Sequence, residues 1–314
     1  MSTTRRDFIR LTTTSSVAAV VAPSLAGSTA AAQMPVPPRT VVPGGTPRKA
    51  ILISMLPRDL SYEARFALAR EAGFEAVEMR TVADEGEAET IAAASQKTGL
   101  RVHSVMNSGH WNNPVSSPDP AVVDKCVEGM HTSIRNAKLW GADTVLLVPA
   151  VVDGTTGYRD AWTRSVAVIR ERILPYAEQH KVIVGIEEVW NKFLLSPIEM
   201  AQYVDDFKSP WVSAYFDVGN VVMYGYPQDW IRTLGTRINK VHLKDFRMDR
   251  KASTYAFVHL GEGDIDWPEV RKALHEVGYD GYVTPEIRGG DKAYLVDVAA
   301  RIDRILAGEK PVAS

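Results

Sequence analysis

Carboxylates and an imidazole stand at the ends of short, otherwise apolar runs in the second half of this chain. The run KVIVGIEEV (181–189) carries Glu187 and Glu188, WVSAYFDVG (211–219) carries Asp217, INKVHLKDF (238–246) carries His242, and GYVTPEI (281–287) carries Glu286. Burying such a group at the end of an apolar strand is costly unless it is paired or bound to a metal. Any one of them alone is more simply a capped strand end or a surface ion pair. Consecutive strands laid side by side, however, would aim Glu187, Asp217, His242 and Glu286 at one point. That donor set suits a single divalent cation of the Mn, Mg, Co or Zn type, with coordination positions left for a substrate. Glu188 alternates to the opposite side from Glu187, toward the helical layer or a supporting partner.

The elements that must position these groups are legible from Ala50 onward. Earlier β-rich runs lie at 51–55, 74–80, 100–106 and 143–150, so that eight such runs alternate with longer amphipathic stretches. In 61–73, Ser61 and Glu63 cap a helix start and Gly73 its end; 119–141 has helical apolar spacing and closes on Gly141. Strands with few alternating polar positions fit a parallel sheet covered on its faces. The pattern predicts an α/β fold, a single-domain (β/α)8 TIM barrel over 50–308. A doubly wound open sheet would want a GxGxxG turn after an early strand, and none is present.

Composition narrows the partners. The chain of 314 residues has a formal charge of −2 and no basic run in its body, so nothing draws it to nucleic acid. Its one cysteine, Cys126, excludes an intrachain disulfide and a cysteine metal cluster. Residues 4–10 (TRRDFIR), a weakly apolar stretch and Ala30-Ala31-Ala32 are similar to a twin-arginine signal peptide over 1–33, followed by a Pro/Gly linker over 34–49; 309–314 is a tail. The expectation is an exported protein, periplasmic or secreted, with no stable membrane insertion once the signal is removed. Export in the folded state suits a metalloprotein loaded beforehand.

The segments IEEVWNKFLLSP, YFDVGN, VHLKDF, LGEGDIDW and GYDGYVTPEI resemble the xylose isomerase-like TIM barrels, in particular their sugar-phosphate isomerase/epimerase branch. The resemblance implies that Glu187, Asp217, His242 and Glu286 bind one divalent metal. It also implies that Glu187 and Glu286 act as base and acid on opposite faces of a small-molecule sugar. A keto-sugar would be isomerised or epimerised by proton abstraction next to its carbonyl, through a metal-stabilised enediolate. Export, and the lack of a glycine-rich phosphate cradle, point to an unphosphorylated sugar. The same proton abstraction would serve a lyase or hydrolase of 3-keto-glycosides, and a non-catalytic periplasmic sugar-binding barrel is the reading from another class. A related DNA-repair endonuclease branch needs extra histidines and a basic groove that are missing here. Relatives are often dimers or tetramers, which leaves a homo-oligomer open.

Other polar residues form a candidate substrate shell. Asn220, Lys244 and Asp245 follow the ligand positions closely; they either meet substrate hydroxyls or orient His242, and Lys244 with Asp245 could equally be an internal ion pair. Glu78 at the end of the second run and His103 on the third are candidates for substrate contact, with a packed core histidine the alternative for His103. His110 and Trp111 lie in the long loop 108–120, and loops after barrel strands carry function. Trp111 and Trp190 flank the expected mouth, where either stacks on a sugar or simply packs.

Overall fold

Eight parallel strands close into a barrel in which every strand except the last follows its predecessor around the ring. The computed structural model describes residues 44–249 and 251–311. Its strands are β1 (Arg48–Leu52), β2 (Ala76–Arg80), β3 (Arg101–Met106), β4 (Thr144–Leu147), β5 (Ile183–Glu187), β6 (Val212–Asp217), β7 (Ile238–Leu243), β8 (Asp245–Asp249), β9 (Thr254–Val258) and β10 (Tyr282–Pro285). The closed order is β1-β10-β7-β6-β5-β4-β3-β2, and β8 and β9 form a separate antiparallel pair. This is the expected TIM barrel, with helices packed around it. The expected signal segment 1–33, residues 34–43 of the linker and 312–314 of the tail lie outside the described residues.

Local chemistry starts and stops the helices. The Ser61 hydroxyl accepts from the Ala64 amide at 3.2 Å and opens Tyr62–Glu71. Asp119 accepts from the Ala121 amide ahead of Pro120–Trp140, and Gly141 closes that helix at φ 74°, a left-handed conformation suited to glycine. All four residues of β4 and of β10 are buried, as strands covered on both faces require. Among the described residues, no helix is long and apolar enough to cross a membrane.

Two details depart from the sequence reading. β1 begins at Arg48, inside the segment read as linker, and 53–55 turn out of the strand as a short 3-10 helix. The run 238–246 is not one strand either. It leaves the barrel at Lys244 and continues as β8, pairing with β9, a strand the sequence reading did not contain. The cause is Asp245, whose carboxylate accepts from the amides of Phe246 and Gly261 and from the Trp267 indole, tying the chain to a turn outside the ring.

Register sets up the interior. Asp217 pairs with His242, and His242 with Thr284. Irregularities interrupt the ladders between Val77 and Glu78 and between Ala214 and Tyr215. Such bulges re-aim the side chains that follow them, and Glu78 and Tyr215 both point into the site described next.

Candidate metal centre

Four donors converge where the sequence pattern placed them. One ligand atom each from Glu187, Asp217, His242 and Glu286 lies within 4.8 Å of the others. His242 Nδ1 stands 2.8 Å from Glu187 Oε1, 3.3 Å from Glu286 Oε2 and 3.9 Å from Asp217 Oδ2. Glu187 ends β5, Asp217 ends β6, His242 is the fifth residue of β7, and Glu286 immediately follows β10.

The support behind the donors fixes their aim. His242 Nε2 lies 2.9 Å from Glu78 Oε2, and the same oxygen accepts from the Tyr215 hydroxyl at 2.5 Å. Nε2–H therefore donates to Glu78 and leaves Nδ1 facing the carboxylates, the carboxylate–histidine pairing that orients metal ligands. Gly185 makes room for this arrangement, since a Cβ there would stand 3.0 Å from the Tyr215 ring. Asp217 Oδ1 accepts from the amides of Gly219 and Asn220 at 2.8 and 2.9 Å. Its Oδ2 is buried and accepts no hydrogen bond, although Lys244 Nζ lies 3.1 Å away. The same ammonium is 2.7 Å from Glu286 Oε2.

Burial and charge set the protonation. Burial, reinforced by the charge of Glu286, pushes the Glu187 carboxyl up to about 7 against the pull of His242 and Lys244. Burial would raise Glu286 too, but His242 and Lys244 outweigh it and hold that carboxyl down to about 2. For His242 burial acts downward, and the carboxylates of Glu78, Glu187 and Glu286 overcome it, raising the imidazole well above its ordinary range. Lys244 is likewise raised, its burial overcome by Asp217, Glu286 and Glu187. Three carboxylates in a pocket this dry call for positive charge. The hard oxygens, one imidazole nitrogen and the unused Asp217 Oδ2 together fit a divalent cation.

The remaining candidates sort themselves by position. Lys244 reaches the donors directly. Asn220 supports them, donating from Nδ2 to the Glu188 carbonyl at 2.9 Å, while Glu188 Oε1 accepts from the Asp217 amide at 2.9 Å. Glu78 sits behind His242, where it orients the imidazole. Asp245 makes no pair with Lys244; its oxygens are taken up by the turn outside the barrel. His103 lies deeper, its Nε2 3.1 Å from Thr284 Oγ1 and its ring on Tyr282, which Arg48 covers from the barrel's amino end. That is the packed core histidine. His110 is buried, donates from Nδ1 to the Asn107 carbonyl at 3.1 Å, leaves Nε2 without a hydrogen bond, and feels the charge of Glu286. Trp111 is exposed beside it. Trp190 donates to the Asn220 carbonyl and packs on Phe246, Tyr255 and Phe257 of the β8–β9 hairpin. Sequence reasoning missed Tyr215, although its place two residues before Asp217 puts it on the same face of β6.

Comparison with known proteins agrees with this fold. A family model described as the xylose isomerase-like TIM barrel matches residues 66–305. The chain is 31% identical over 242 residues to SgbU of Escherichia coli K12, provisionally named an L-ribulose-5-phosphate 3-epimerase, with 72% of this chain and 83% of that protein aligned. It is 26% identical over 239 residues to L-ribulose-5-phosphate 3-epimerase UlaE of Salmonella heidelberg, covering 72% and 82% of the two chains. Among solved structures, a D-allulose 3-epimerase from Methylomonas sp. in complex with D-allulose superposes with a TM-score of 0.68 at 18% identity, over 85% of this chain and 99% of that one. A structure of L-ribulose 3-epimerase gives 0.68 at 21% identity, over 83% and 95%. The structural likenesses bear on the fold alone. The chain belongs to the xylose isomerase-like TIM barrel family.

Proposed function

We propose that this protein is a divalent-metal-dependent epimerase of a keto-sugar, binding its ion through Glu187, Asp217, His242 and Glu286. The convergence of those donors within 4.8 Å, with His242 Nε2 already engaged by Glu78, carries the reading. Relatives named as sugar 3-epimerases support it. Export by the twin-arginine route belongs to the same proposal and rests on residues 4–10.

A bound divalent cation supplies electrostatic stabilisation of the negative charge that develops on a carbonyl oxygen when a neighbouring C–H is ionised. The protein's own groups then divide the labour. Glu187, the carboxyl that burial brings nearest to neutrality, accepts the proton from the carbon next to the ketone. Glu286, whose Oε2 lies beside the same His242 Nδ1, takes a proton from solvent and delivers it to the opposite face, inverting that carbon, while Glu187 passes its proton to solvent. Asp217 is fixed by its two backbone amides. Lys244 holds Glu286 in place and offers an ammonium to substrate hydroxyls.

Incubation with Mn2+ and a panel of ketoses in deuterated water tests the reading by NMR. The expected result is deuterium at the carbon beside the ketone together with the inverted epimer, and loss of both in Glu187→Gln. Deuterium uptake accompanied by expulsion of the C1 substituent from a 3-keto-glycoside would turn the assignment to a lyase. Absence of exchange with every substrate would overturn both.

A further inference from the structure

A cavity of about 710 Å³ opens between the ends of β1, β2 and β3, on the same face of the barrel as the metal centre. Arg58, Arg65 and Arg80 line it, with the hydroxyl groups of Ser54, Tyr62 and Ser108, and no carboxylate belongs to its wall. Another cavity of about 440 Å³, beside the loop after β6, has the reverse character: Asp264 and Asp266 line it and no lysine or arginine does.

The arginines are only partly neutralised. Arg80 Nη2 lies 2.6 Å from Glu87 Oε1, and the Tyr62 hydroxyl donates to that same oxygen at 2.5 Å. Arg65 is buried, donates from Nη2 to the Ile53 carbonyl at 2.6 Å, and its Nε has no hydrogen-bond partner. Arg58 is exposed and pairs with no carboxylate among the described residues. One carboxylate thus serves a group of three guanidinium ions. The crowding is felt: burial first, then the charges of Arg80 and Arg58, lower Arg65 below its ordinary value against the opposing pull of Tyr62.

Short stretches of chain and packing connect the cavity to the metal centre. The loop that follows Glu286 returns to Met55, the residue after Ser54 of the wall: the Gly290 amide donates to the Met55 carbonyl at 3.3 Å, and a Cβ on Gly289 would collide with the Met55 backbone. Ser108 stands two residues from His110, which feels the charge of Glu286. Met106 lines the cavity and packs against the cluster containing Tyr215, whose hydroxyl reaches Glu78.

We infer that this cavity binds the far end of the sugar, and that this end carries an oxyanion, either a carboxylate or a phosphate ester. Guanidinium groups are suited to both through paired, charge-assisted hydrogen bonds. The inference rests on the keto-sugar reading of the metal centre and adds a substrate class to it. A carboxylate satisfies both the cavity and the expectation of an unphosphorylated substrate, whereas a phosphate satisfies the cavity alone.

The test compares KM values of the Mn2+-loaded enzyme for neutral L-ribulose, for L-ribulose 5-phosphate and for the carboxylated ketose D-fructuronate. Calorimetric titration with inorganic phosphate accompanies it, in wild type, Arg58→Gln and Arg80→Gln. The expected result is a KM about tenfold or more lower for at least one anionic ketose, most of which the variants erase, with phosphate binding weakened in parallel. Whichever anionic ketose has the lower KM names the source of the oxyanion. A KM for L-ribulose at or below both anionic values, or a rise by one common factor for all three in the variants, overturns the inference. Phosphate binding that depends on Arg58, with no ketose turned over, leaves the anion site standing and removes the epimerase reading. Phosphate binding untouched by either variant removes the site.

Discussion

The two halves of the barrel mouth are built from opposite charges and to opposite standards of rigidity. On the side of β5, β6, β7 and β10, Glu187, Asp217 and His242 are each at most 4% exposed, and every one is held by a neighbour of known geometry. On the side of β1 to β3, Arg58 and Arg80 are exposed, and of the two only Arg80 pairs with a carboxylate, Glu87, among the described residues. The difference follows from the demands placed on each half. Proton transfer tolerates little misplacement, so its groups sit on strand ends locked by a second layer of hydrogen bonds. Recognition of a charged substituent needs field and reach more than fixed angles, and long arginine side chains supply both.

Substitutions on the two sides should therefore differ in size. The largest effect is expected from Glu187→Gln or Glu286→Gln, each lowering the rate of solvent deuterium exchange by roughly 10²–10⁴-fold, as loss of a positioned acid or base does. A variant of either that kept wild-type exchange would end the distinction between the halves. Next comes Glu78→Gln, which touches no substrate in this account yet should weaken Mn2+ affinity by roughly 10–100-fold through His242. Calorimetry on the purified variant checks it. The corresponding change on the other side, Glu87→Gln, frees Arg80 and Tyr62 without reaching the donors, and Mn2+ affinity should not change. Tyr215→Phe is expected to cost about 1–3 kcal/mol of stability, read from the urea midpoint, since its hydroxyl makes two buried hydrogen bonds, to Glu78 and to Ser104. The smallest effect belongs to Tyr255→Ala on the exposed hairpin, about 0.5 kcal/mol or less by the same measurement.

Much of this was legible because the informative residues break a simple pattern. Glu187, Asp217 and Glu286 each interrupt an apolar run at its end, and no solvent-facing strand explains three such interruptions among the last four runs. The barrel followed from the spacing of those runs. Tyr215 was hidden because a tyrosine in a β-rich run looks like ordinary core, and only its hydroxyl contact with Glu78, 137 residues away in sequence, reveals its part. The break after β7 was hidden for a similar reason. Asp245 is held by Gly261 and Trp267, 16 and 22 residues downstream, and no local propensity announces such a tether. Arg58, Arg65 and Arg80 come from a loop, a helix and a strand end, so their meeting is a product of the closed ring alone. His103 was open to two readings because a polar residue within a strand carries no mark of its depth in the barrel.

Calorimetric titration of Mn2+ into the metal-stripped protein, in wild type and in Asp217→Ala, tests the centre most directly. The account predicts about one ion bound per chain in wild type and loss of that binding in the variant. Failure of the wild type to bind Mn2+, or binding with the same stoichiometry and affinity after Asp217→Ala, would contradict it.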